Sequence, residues 1–103
     1  MSKNRKQSNY KDRDGKILAH GDIVRFYYSA TYGYWLDEAS GDKKDFTEMI
    51  DIVHFDGESW RLYSDIGRAS YIGRHNDFCK LIGNVWDNPE LVKSFPASLV
   101  AQI

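Results

Sequence analysis

The chain has 103 residues, with 14 Lys and Arg against 15 Asp and Glu, a net charge of −1. That length implies one domain with one modest core. A single cysteine, Cys79, excludes an internal disulfide framework and a thiolate-rich metal site. No apolar run approaches the roughly 20 residues of a membrane span, so the expectation is a protein of a reducing cytoplasm with no membrane partner.

The charge is unevenly placed. Residues 1–13 carry Lys3, Arg5, Lys6, Lys11 and Arg13 against Asp12, a net +4, and the remainder carries −5. Residues 1–13 also lack hydrophobic periodicity and read as a flexible basic arm in front of an acidic body. Asp14-Gly15 is a turn and Gly21-Asp22 a second breaker. Ile23 to Ala30 then reads as a strand with bulk on both faces, Val24, Phe26 and Tyr28 on one and Ile23, Arg25 and Tyr27 on the other. Such a strand is central or partly covered.

Tyr32, Tyr34 and Trp35 follow, then a polar loop from Asp37 to Asp45. Six carboxylates lie between Asp37 and Asp51 (Asp37, Glu38, Asp42, Asp45, Glu48 and Asp51), offset in part by Lys43 and Lys44. Met49 to Tyr63 reads as a hairpin with Asp56-Gly57 at its tip. A two-residue turn pairs Val53 with Trp60, and a four-residue loop pairs Phe55 with Trp60. Both registers put Val53, Phe55, Trp60 and Leu62 on one face and Ile50, Ile52 and Tyr63 on the other, because the side-chain period is two.

Ser64 to Asn76 reads as loop, with Arg68 and Arg74 beside Gly67 and Gly73. Cys79 to Trp86 is the last long strand, with Cys79, Leu81 and Val85 facing one way. Asn88-Pro89-Glu90-Leu91 opens a short helix, with Asn as N-cap and Pro at the first helical position. Pro96 limits that helix, and 97–103 is an apolar tail that packs on the body or on another subunit. The fold class is mainly β: a small, antiparallel, strongly curled sheet or SH3-like barrel over residues 14–96, with one short C-terminal helix.

Two runs resemble a known family. Asp14-Gly15-Lys16-Ile17-Leu18-Ala19-His20-Gly21-Asp22-Ile23-Val24 is similar to the DxxGKEIYEGDIV segment of YopX-like proteins of phages and prophages. Ile82-Gly83-Asn84-Val85-Trp86-Asp87-Asn88-Pro89-Glu90-Leu91 resembles that family's closing IGNIYENPEL. The resemblance spans roughly residues 12–93. Ile17, Ala19 and His20 depart from the first motif, and the family's usual N-terminal half, opening with a KFRAW-like strand, has no counterpart. The resemblance implies a phage or prophage origin and a β-rich fold, and carries no enzymatic activity with it.

Little in the sequence points to catalysis or a cofactor. His75 and Cys79 are four apart, but one Cys and three scattered His form no zinc spacing. Cys79 opens an apolar strand, where a buried inert thiol is the usual outcome. The carboxylates lack the order of a calcium loop, and Gly67-Arg68 and Gly73-Arg74 do not lead a strand into a helix as a phosphate loop does. The chain is expected to be neither an enzyme nor a cofactor protein.

Two surfaces remain. One is the acidic stretch 37–51, with Asp37, Glu38, Asp42 and Asp45 beside the aromatics Tyr32, Tyr34 and Trp35. It suits a basic protein partner. The expectation built on it is a phage accessory protein that binds and inhibits a bacterial host enzyme or antiviral defence complex. The other is a ligand surface of Tyr27, Arg25, Arg68 and Arg74, where aromatics and arginines stack and pair with nucleic acid or a nucleotide signal. A pocket of that kind is expected between subunits, in a homo-oligomer.

Overall fold

The computed structural model describes residues 5–36, 41 and 43–103. Among the described residues, eight strands form two sheets: β1 (Gln7–Lys11), β2 (Ile17–Ala19), β3 (Asp22–Ser29), β4 (Tyr34–Leu36), β5 (Thr47–Phe55), β6 (Trp60–Tyr63), β7 (Ala69–Tyr71) and β8 (Lys80–Asn84). β1 and β2 make a hairpin. The others form one antiparallel sheet in the order β4-β3-β5-β6-β7, with β8 also paired to β3. The sheet is strongly curled into a half-barrel. A short α1 (Ala97–Ala101) follows a 3₁₀ turn at Pro89–Val92.

β3 is the central strand, as bulk on both its faces predicts. It pairs with β5 along one edge, and on the other edge with β8 over its first half and β4 over its second. One face buries Leu18, Val24, Phe26, Val53, Leu62, Ile72 and Cys79. The opposite face buries Ile23 and Ile52 under Val85, Val92, Phe95 and Leu99. Alternation along β3 and β5 therefore feeds two cores, one closed by the β1–β2 hairpin and the other by the C-terminal segment.

The β5–β6 hairpin takes the four-residue loop, with Phe55 opposite Trp60 and Val53 opposite Leu62. Asp56 selects it. Its carboxylate accepts from the amides of Glu58 (2.9 Å) and Ser59 (2.7 Å) and from Arg61 Nε (2.9 Å). Those bonds hold its pKa down at about 2.

Four expectations are corrected. The arm reading does not hold for residues 7–11, which form β1. Ser8 Oγ donates to the carbonyl of Leu18 (2.7 Å) and accepts from the amide of Tyr10 (3.0 Å), bridging an irregular stretch of the β1–β2 ladder. Buried Asp12 accepts from the amides of Asp14 (3.0 Å), Lys16 (2.8 Å) and Leu81 (2.9 Å), tying this hairpin to β8. The polar spacing of 7–12 hid a strand whose few inward groups are hydrogen-bonding side chains.

The loop expected at 64–76 contains β7 and a 3₁₀ turn at Ile72–Arg74, with Ile72 buried in the core. Val85 does not share a face with Cys79 and Leu81. Ile23 lies opposite Gly83 but Val24 opposite Leu81, so Ile82 is an extra residue. This bulge flips the parity and sends Val85 to the other core. Asn88 makes no side-chain cap bond to the following turn; its Oδ1 instead accepts from the Asn84 amide (3.2 Å). The 97–103 segment is part of the body, with Leu99, Val100 and Ile103 on the second core.

Candidate functional site

On the first face the core does not fill the sheet. A cavity of about 620 Å³ opens between the β3–β5 floor and the β6–β7 side. That volume is in the range of small-molecule sites, about 300–1,000 Å³. Its floor is Phe26, Met49 and Asp51, and its aromatic wall is Tyr28, Trp35 and His75. Arg61, Arg68, Arg74 and Tyr71 line its rim.

The strand registers assemble this set. Phe26 lies opposite Met49, Val24 opposite Asp51, and Tyr28 opposite Trp35, so these side chains share one face. Tyr28 and Trp35 then meet ring to ring at 5.7 Å. His75, between two 3₁₀ turns, stacks flat on Trp35 with centroids 4.7 Å apart and meets Phe26 edge-on at 4.7 Å.

Two members of the lining are chemically unfinished. Asp51 is 4% exposed, and its Oδ1 has no hydrogen-bond partner. Burial, and then the charge of Asp65, push its pKa up to about 7. His75 is also 4% exposed, with neither ring nitrogen partnered. Burial, and then Arg74, lower its pKa to about 4, so at neutral pH it is an uncharged imidazole with one donor and one acceptor. Buried polar groups are ordinarily satisfied, and two orphans in one cavity call for a reason. Across the lining, Arg61 is engaged by Asp56 and lies over the Tyr71 ring at 4.7 Å. Arg68 and Arg74 form no ion pair with a carboxylate among the described residues.

The residues singled out from sequence divide accordingly. Trp35, Arg68 and Arg74 line the cavity. Tyr27 and Arg25 do not, because alternation sends them to the opposite face of β3; Tyr28 stands where Tyr27 was expected. Tyr27 instead meets Glu48 and lies under the Lys43 ammonium at 5.2 Å. Tyr32 and Tyr34 are 56% and 50% exposed and cluster with Phe46 outside the cavity. Asp45 is exposed, whereas Asp37, Glu38 and Asp42 lie outside the described residues. Asp51 does not belong to a solvated acidic face: it is the buried floor of the cavity.

Sequence reasoning missed Asp51, His75 and Tyr28 as site residues. Asp51 carried a usable mark, a carboxylate on the same strand face as Val53. Cys79 is buried, its Sγ lies 3.4 Å from the carbonyl of His75, and burial pushes its thiol pKa far up, which makes it a poor nucleophile. Among the described residues no cluster of His, Cys, Asp and Glu is arranged to hold a metal ion, and no helix is long and apolar enough to cross a membrane.

No protein-family model matches the chain, and neither a curated protein nor a solved structure matches it.

Proposed function

We propose that this chain is a phage or prophage accessory protein that binds and sequesters a nucleotide in the cavity under Trp35. The single observation that carries the reading is the unpartnered Asp51 carboxyl at the floor of an aromatic cavity whose rim holds Arg68 and Arg74. An aromatic wall takes a base, arginines take phosphate, and a buried carboxyl takes the base's N–H groups. The resemblance to YopX-like proteins supports the viral origin, and with it action in the cytoplasm of a bacterial host. The test is a melting-temperature screen against nucleoside mono-, di- and triphosphates and cyclic dinucleotides. A ligand at 100 times its Kd stabilises the fold by about 2.7 kcal/mol. No shift with any nucleotide contradicts the reading.

A second reading has its own observation. The exposed Tyr32 and Tyr34 rings, with Phe46 beside them, form an aromatic patch on the sheet edge next to Asp45 and Glu48. Aromatic clusters anchor protein interfaces, and flanking carboxylates steer a basic partner. In this reading the chain docks on and inhibits a host enzyme or defence complex. The test is affinity capture from host lysate with the wild type and with Tyr32→Ser/Tyr34→Ser. A host protein retained by the first and lost by the second supports the reading.

A further inference from the structure

We infer that the cavity reads guanine: Asp51 takes the N1–H and N2–H₂ edge of the base while Arg68 and Arg74 hold its phosphates. The inference rests on the nucleotide-binding reading above and adds the identity of the base.

Asp51 lacks a hydrogen-bond donor at Oδ1. Once ionised, its carboxylate has acceptor capacity only; Oδ1 is buried with no donor, and Asp51 lines the cavity. A ligand that satisfies it presents N–H groups at the buried end. The rim selects the opposite character. Arg68 and Arg74, with no carboxylate partner among the described residues, attract anions and oppose a simple cation such as an amine or a basic peptide. The ligand is therefore bipolar: flat and donor-rich at one end, anionic at the other.

Among nucleotides the donor pattern decides. Guanine presents two adjacent donors, N1–H and N2–H₂, which match the two oxygens of one carboxylate. Adenine and cytosine each present one donor beside a ring acceptor, and uracil presents one donor between two carbonyls. An acceptor facing an ionised carboxylate loses a hydrogen bond and adds repulsion. His75 completes the match. As a neutral imidazole with no partner, it has a ring N–H for the O6 carbonyl that adjoins guanine N1–H.

The charged and titratable groups around this floor are Asp65, Cys79, His75 and the arginines at 61, 68 and 74. Burial and Asp65 hold back ionisation of Asp51 until the pH passes about 7, so the discrimination is read at pH 8.

The experiment is isothermal titration at pH 8 of the full chain with guanosine, inosine and adenosine 5′-diphosphates. Inosine lacks the 2-amino group, and a bidentate base contact is worth about 1–3 kcal/mol of discrimination. The guanosine ligand is expected to bind about tenfold or more tighter than the other two. Asp51→Asn replaces one acceptor by a donor and matches the adenine edge, so it should weaken the guanosine ligand about tenfold and strengthen the adenosine one. Asp51→Ser should weaken guanosine without strengthening adenosine. Arg68→Ala/Arg74→Ala should weaken all three alike. A melting curve for each variant confirms the fold. Binding of all three ligands within twofold, or an equal loss of all three in Asp51→Asn, overturns the guanine assignment and leaves the nucleotide pocket standing. Binding of none overturns both.

Discussion

The indole of Trp35 lies flat on the imidazole of His75, with centroids 4.7 Å apart and planes 3° from parallel. The stack covers one face of His75 while Phe26 abuts its edge, and both ring nitrogens are left without partners. Burial then keeps the ring neutral in the folded chain down to about pH 4, whereas the unfolded ring titrates near its ordinary 6.5.

The sign of the pH effect follows. Between about pH 6.5 and 4 the unfolded state binds more protons at His75, so stability falls as pH drops through that window. His20 and His54 act in the same direction, both lowered first of all by burial. His20 Nδ1 accepts from the Phe55 amide at 3.0 Å, a bond that protonation removes. Urea denaturation at pH 7, 6 and 5 should show a steadily falling midpoint. His75→Phe keeps the stack, removes the titration, and should flatten part of that fall.

Asp51 has the opposite sign. Its folded pKa of about 7 lies above its unfolded 3.8, so the folded state holds the extra proton between them. Stability contributed by that group is lost as pH rises through the same window. Asp51→Asn should therefore melt higher than the wild type at pH 8, by the equivalent of a few kcal/mol at most. The gain should shrink toward pH 5. A variant less stable at pH 8 would mean that the carboxylate has a partner in the fold.

Residues 7–12 are expected to stabilise the fold, because β1 and Asp12 are bonded into the body. Asp12→Ala leaves the amides of Asp14, Lys16 and Leu81 without their acceptor, and should cost about 2–4 kcal/mol in denaturant unfolding. Removing residues 1–12 should cost more, because Tyr10 and Ser8 leave the hairpin that closes the first core.

Two glycines of the family-like motifs are held by packing. Gly21 has φ +91° and the Trp86 ring occupies the place of its missing Cβ, while Asn88 occupies that of Gly83. Gly21→Ala should cost about 2–4 kcal/mol from the clash and the backbone conformation together. Gly83→Ala should cost less, because only the Asn88 side chain must turn away.

Much of the fold was legible because alternation is a local property. Val53 and Leu62 share the buried face in either hairpin register, and the central place of β3 followed from bulk on both sides. Non-local features were not legible. The bulge at Ile82 depends on how β8 meets β3, and β1 is held by Ser8 and Asp12 through partners elsewhere in the chain. The site divides the same way. The type of surface, aromatics edged by arginines, was visible at Trp35, Arg68 and Arg74. Its floor was not, because Asp51 counted as one of six surface carboxylates until its neighbours were in place. The choice of Tyr28 over Tyr27 turned on which face of β3 the cavity opens.

The most direct test of the account is titration of the wild type and of Arg68→Ala/Arg74→Ala with guanosine 5′-diphosphate at low and moderate salt. Saturable binding with one site per chain is expected, weakened about tenfold or more in the double variant and weakened in the wild type by added salt. Absence of saturable binding to the wild type, or binding indifferent to the loss of both arginines, would contradict it.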